Sequence, residues 1–174
     1  ALGANFDAVV AFANTNVASA TSMITWIFFD RFTNRKMSAI GACIGAIVGL
    51  VAITPAAGVV TLGQSMFIGF VAALISNLAI RLFRKLNIDD TLDVFPSHGI
   101  GGITGMILTA LFASEVGLIY GETETFVMHL VAILLVVVYT LAMSYFLFKI
   151  VNLITPLRVR EDQEERDLDA SQHG

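Results

Sequence analysis

Charge is what this chain has least of. Asp, Glu, Lys and Arg make up 14% of its 174 residues, against 56% apolar residues and a mean hydropathy of +0.80. Soluble domains carry about 25% charged residues. Too few are present here to build a water-facing skin, so a soluble globular fold is excluded. Cysteine is equally scarce. The single one, Cys43, lies in an apolar run, cannot form an intrachain disulfide, and reads as a small core residue. The start, Ala1-Leu2-Gly3-Ala4-Asn5, has neither a basic residue nor an initiating Met. No signal peptide is expected there, and the stretch reads as the interior of a longer chain. Soluble-enzyme signatures are missing too: no Walker loop, no strand-flanked glycine fingerprint, no metal-ligand spacing and no Ser/His/Asp set. The chain is therefore expected not to be an enzyme and to need no cofactor, no metal and no nucleic-acid partner.

What is present is long apolar runs. A bilayer core takes about 20 apolar residues per helix. Lipid offers the backbone no hydrogen-bond partner, so only helices and closed barrels span it. Barrel strands alternate apolar and polar residues, and runs such as Leu130 to Leu141 do not. The expectation is an all-α, polytopic membrane helix bundle over residues 1–155, with spans near 9–29, 38–53, 60–82, 95–113 and 126–151. Residues 156–174 turn strongly charged and read as a tail. All ten Lys and Arg fall in three places: Arg31, Arg35 and Lys36; Arg81, Arg84 and Lys85; Lys149, Arg158, Arg160 and Arg166. Residues 54–59 and 114–125 have none. Basic residues mark the cytoplasmic side, which predicts five spans, Ala1 outside and a cytoplasmic carboxyl terminus.

Small residues crowd the first, second and fourth segments, with Gly41, Gly45 and Gly49 at small-xxx-small spacing. Such residues let helices approach closely in lipid. The fifth segment, rich in Leu, Val and Phe, reads as a lipid-facing outer helix. Ionisable groups inside a span cost at least ~2.5 kcal/mol at its centre and so point to function. Two histidines qualify. His129, near the outer end of the fifth segment, reads as an interfacial or packing residue. His98 stands in Asp93-Val94-Phe95-Pro96-Ser97-His98-Gly99-Ile100-Gly101-Gly102. Gly99, Gly101 and Gly102 are expected to bare one face of the helix start, where another backbone or a narrow conduit can approach the imidazole. A neutral imidazole both donates and accepts a hydrogen bond, so it can hold a small polar solute or relay a proton. A packed structural histidine is the alternative. Asp93, ahead of Pro96, is expected to cap the fourth helix.

The segment from Asp89 to Gly102 resembles the ammonium transporter family (Amt/Mep/Rh). So do Asn14-Thr15-Asn16 with Trp26-Ile27-Phe28, the run from Gly49 to Gly58, and the tail from Leu157 to Asp169 with Ser171-Gln172-His173-Gly174. The match covers essentially the whole chain and corresponds to the last five of the family's eleven helices plus its tail. The resemblance implies a homotrimer in the cell membrane with one pore per subunit, and ammonium or ammonia as substrate. It implies that His98 is the second of two pore histidines and that Val94 lines the inner conduit, with Asp93, Gly99, Gly101 and Gly102 supporting it. It places a regulatory tail at Arg158, Glu161, Asp167 and Asp169, and a regulatory protein of the PII type as partner. The family tail often has glycine where this chain has Asp167. The family's outer recruitment site, phenylalanine gate and first pore histidine belong to its earlier helices. A membrane-embedded ammonium sensor signalling through its tail is the alternative. A structural fragment inactive by itself is the bland one.

Overall fold

The computed structural model describes residues 3–158; the predicted tail residues Glu161, Asp167 and Asp169 lie outside them. Among the described residues the chain is all helix: α1 (Phe6–Phe32), α2 (Ala39–Ile53), α3 (Leu62–Lys85), a π-turn (Phe95–Ile100) leading into α4 (Gly101–Phe112), and α5 (Glu124–Ile154). Contacts divide the chain into two compact units, with the division inside α5 between Ile133 and Leu134.

The helix starts are set by side chains that satisfy free backbone N–H groups. Asn5 accepts from the Ala8 amide at 3.0 Å, and Ser38 accepts from the Gly41 amide at 2.9 Å. Thr61 and Gln64 cap α3 reciprocally. The fourth helix starts differently. Pro96 supplies no N–H, and the first six residues take the wider π geometry in place of an ordinary α-turn. The carboxylate that caps this start is Asp90, which accepts from the amides of Val94 (2.9 Å) and Phe95 (2.8 Å). Asp93, expected in that role, sits at φ +51 with its carboxylate turned away. It accepts instead from Arg84 at 2.9 Å.

In the first unit the bundle inverts the usual soluble pattern. The buried stripe of α1 is Asn14, Ala18, Ser22, Trp26 and Asp30, every fourth residue and largely polar. Its outer side carries exposed Phe12, Ile24 and Phe28. Without water outside, apolar burial gives no drive. Helices then associate through close packing and interhelical hydrogen bonds. Both are found here. The Ser22 hydroxyl donates to the Gly45 carbonyl at 2.6 Å, and the Asn14 amide donates to the carbonyls of Ala57 and Val60, both at 2.8 Å. Gly49 of α2 and Gly69 of α3 both face the Ala18 carbonyl so closely that a Cβ at either would collide with it.

Three helices are long and apolar enough to cross a membrane: α3, the π-turn with α4, and α5. The 15 residues of α2 are short for a span. The hydropathy of α1 is lowered by the polar stripe it buries. Thirty-one residues give α5 a length of about 46 Å, longer than a bilayer's apolar core. None of them is buried.

Candidate functional site

His98 lies in the π-turn on its exposed side. Four residues earlier, close to one turn, Val94 is also exposed. Pro96 and Ser97 face the opposite way and are buried. The turn therefore presents an imidazole and an isopropyl group outward while anchoring itself with its other side. No hydrogen bond among the described residues engages the imidazole of His98, so both ring nitrogens are available to a solute. Phe95 flanks it, stacked on Phe83 with ring centroids 5.6 Å apart. Behind the histidine are two buried hydroxyls, Ser97 and Ser76 of α3, that take no hydrogen bond among the described residues.

The three glycines around His98 divide their roles. A Cβ on Gly99 would stand 2.9 Å from the Phe95 ring, so this glycine makes room for that ring. Gly101 turns toward Ser76, Val48 and Val51, and Gly102 toward Val51. A Cβ on either would meet these groups at ordinary van der Waals distance; the close approach of α4 to α2 is at Gly105, where a Cβ would collide with the Ala52 carbonyl. His129 is separate: its Nδ1 bonds to the Thr125 carbonyl of its own helix at 2.8 Å.

At one end of the bundle a polar network ties α1 to α3. Asp30, 8% exposed, accepts from the Asn77 amide at 3.2 Å and lies 3.5 Å from Arg81. Arg81 also donates to Asn77 at 2.8 Å and to Thr33 at 2.6 Å, and stacks over the Phe29 ring. The Arg84–Asp93 pair carries the network to the residue preceding Val94. Two carboxylates, an amide and two guanidinium groups thus hold the basic ends of α1 and α3 against the start of the fourth helix.

A model of the Ammonium Transporter Family matches residues 1–174. The chain belongs to that family. It is 41% identical to an ammonium transporter of Bacillus subtilis (strain 168), over 96% of this chain and 43% of that protein. It is 37% identical to one of Aquifex aeolicus (strain VF5), over 100% of this chain and 42% of that protein. The crystal structure of Saccharomyces cerevisiae Mep2 superposes with a TM-score of 0.86 at 33% identity, covering 92% of this chain and 39% of that one. The chain spans about two fifths of the length of the relatives it matches. Its five helices share the Amt fold, and it is a multi-pass membrane protein of that family.

Sequence reasoning missed the Asp30–Asn77–Arg81 network, because Asp30 next to Arg31 reads as the polar end of a span. The signal was there in the four-residue rhythm of Asn14, Ser22, Trp26 and Asp30, which continues through Asp30 and puts it on the buried face.

Proposed function

We propose that this chain forms part of a protein that moves ammonium across the cell membrane as ammonia plus a proton. His98 and Val94 line the conduit. The observation that carries the reading is the His98 ring, exposed and without a hydrogen-bond partner among the described residues, in a member of the ammonium transporter family. An unpaired ammonium ion in an apolar passage would pay a solvation cost of tens of kcal/mol, whereas neutral ammonia pays far less. Ammonium is nevertheless the species that neutral water supplies. Deprotonation at the outer mouth followed by passage of ammonia along apolar walls resolves the conflict. A neutral imidazole suits that path. One nitrogen accepts from ammonia while the other donates, and the ring passes a proton by exchanging these roles. Val94 keeps the neighbouring wall apolar, and Ser97 and Pro96 fix the turn from behind.

The assembly we propose is a homotrimer with one conduit per subunit and the basic ends of α1 and α3 on the cytoplasmic side. On that side a PII-type protein would meet the tail. The decisive experiment uses the complete protein in proteoliposomes and follows uptake of labelled methylammonium. His98→Ala is expected to slow initial uptake by about 100-fold, the scale of a lost acid–base group. Uptake at the unaltered rate refutes the role of His98. Absence of uptake by the unsubstituted protein would favour a sensor over a transporter.

A further inference from the structure

A second polar site lies away from His98. The loop of residues 33–38, the basic ends of α1 and α3 and the start of α2 border an open cavity of about 390 Å³, within the size range of small-ligand pockets. Trp26 is 4% exposed and lines it. The indole N–H of Trp26 finds no acceptor among the described residues. Its Nε1 lies beside Gly41, 3.4 Å from where a Cβ there would stand. Asp30 Oδ2 lies 3.4 Å and Ser38 Oγ 3.1 Å from the same point. Asp30 spends its other oxygen, Oδ1, on Asn77 and Arg81. Ser38 accepts from the Gly41 amide, which leaves its own proton to give. One N–H donor, one hydroxyl and one carboxylate oxygen therefore cluster around Gly41 on the wall of the cavity.

The surrounding charge favours an anion. Arg35, Lys36 and Arg84 line the wall, and Arg81 stands behind Asp30. These cations outnumber the two carboxylates, each of which already has an arginine partner. Helix α2 adds the positive end of its dipole through Ser38, Ile40 and Gly41. We propose that this cavity binds an oxyanion that also carries a hydroxyl, namely a phosphate monoester or hydrogen phosphate. The phosphoryl oxygens accept from Trp26, Ser38, Arg35 and Lys36, and the P–OH proton goes to Asp30 Oδ2. Sulfate has the same shape but no proton at neutral pH. It would set two anionic oxygens against each other at Asp30, so the site selects phosphate.

The test is isothermal titration of the full-length protein in detergent with three probes: inorganic phosphate, sulfate and a soluble short-chain phosphatidic acid. Saturable binding of inorganic phosphate or phosphatidic acid, with sulfate at least about tenfold weaker, is expected. A response to inorganic phosphate identifies a free solute, and a response to phosphatidic acid alone identifies a lipid headgroup. Trp26→Phe keeps an aromatic ring but removes the N–H together with the pyrrole half of the indole; Arg35→Gln with Lys36→Gln removes two positive charges from exposed loop positions and leaves the buried packing as it is. Each is expected to weaken binding about tenfold or more. The proposal is overturned by no binding of either phosphate probe, by sulfate binding as tightly, or by unchanged affinity in the variants that fold. The titration reads binding alone, so it is independent of the outcome at His98.

Discussion

Asn14 shows how one polar side chain holds a membrane bundle together. It is 1% exposed, and its amide donates to two loop carbonyls, those of Ala57 and Val60, at 2.8 Å each. Those carbonyls lie where the chain leaves α2 and turns toward α3, so no helix ladder satisfies them. Removing the amide strands both acceptors, and a buried unsatisfied group costs about 1–3 kcal/mol. Asn14→Ala is therefore expected to lower the thermal-unfolding midpoint of the purified protein clearly. Asn14→Asp has the same shape, but its carboxylate would face two carbonyls without a proton to give. It is expected to be at least as damaging as Ala. A midpoint for Asn14→Asp equal to that of the unsubstituted protein would show that the two hydrogen bonds contribute nothing.

Among the helices, α3 contains its own control for close packing. Gly63, in its first turn, has nothing within 4 Å of where a Cβ would stand, whereas a Cβ on Gly69 would run into the Ala18 carbonyl. The chemical change Gly→Ala is identical at both positions. At Gly63 it should stabilise by up to about 1 kcal/mol through helix propensity. At Gly69 it should destabilise by about 1–3 kcal/mol, because α1 must move away from α3. Parallel unfolding measurements on Gly63→Ala and Gly69→Ala check the sign, and equal effects would remove the packing explanation. This pair also marks what was legible in advance. Glycine spacing and apolar runs announced helices in close contact, and the family segment around His98 announced the candidate site. Neither tells a glycine under a carbonyl from one in the open, since that depends on which helix lies opposite. The shift of the capping role from Asp93 to Asp90 was hidden for a similar reason. Three carboxylates precede the helix within five residues, and only the left-handed turn at Asp93 decides which of them faces the free amides.

For the whole bundle, the ties between loops fix an orientation. The Ser114 amide donates to the Val59 carbonyl at 2.8 Å, joining the α2–α3 connection to the segment after α4. Neither connection carries a Lys or Arg. The Asp30–Arg81 pair joins the basic ends of α1 and α3, and the Arg84–Asp93 pair joins that end of α3 to the start of the fourth helix. Helix α3, with 24 residues and a rise of about 36 Å, separates the two sets by more than an apolar bilayer core. Because α1, α3 and α4 share both sets of ties, they cannot invert one at a time. With the basic set on the cytoplasmic side, as we propose from the distribution of Lys and Arg, the other connections lie opposite. In a Cys43→Ala background, Asn34→Cys and Thr123→Cys are expected to react with a membrane-impermeant thiol reagent from opposite sides. Intact cells should label residue 123, and residue 34 should label only after permeabilisation. Labelling of both from outside would break the link between the basic loops and the inner face. It would also place the phosphate cavity beside Trp26 on the wrong side of the membrane for a cytoplasmic solute.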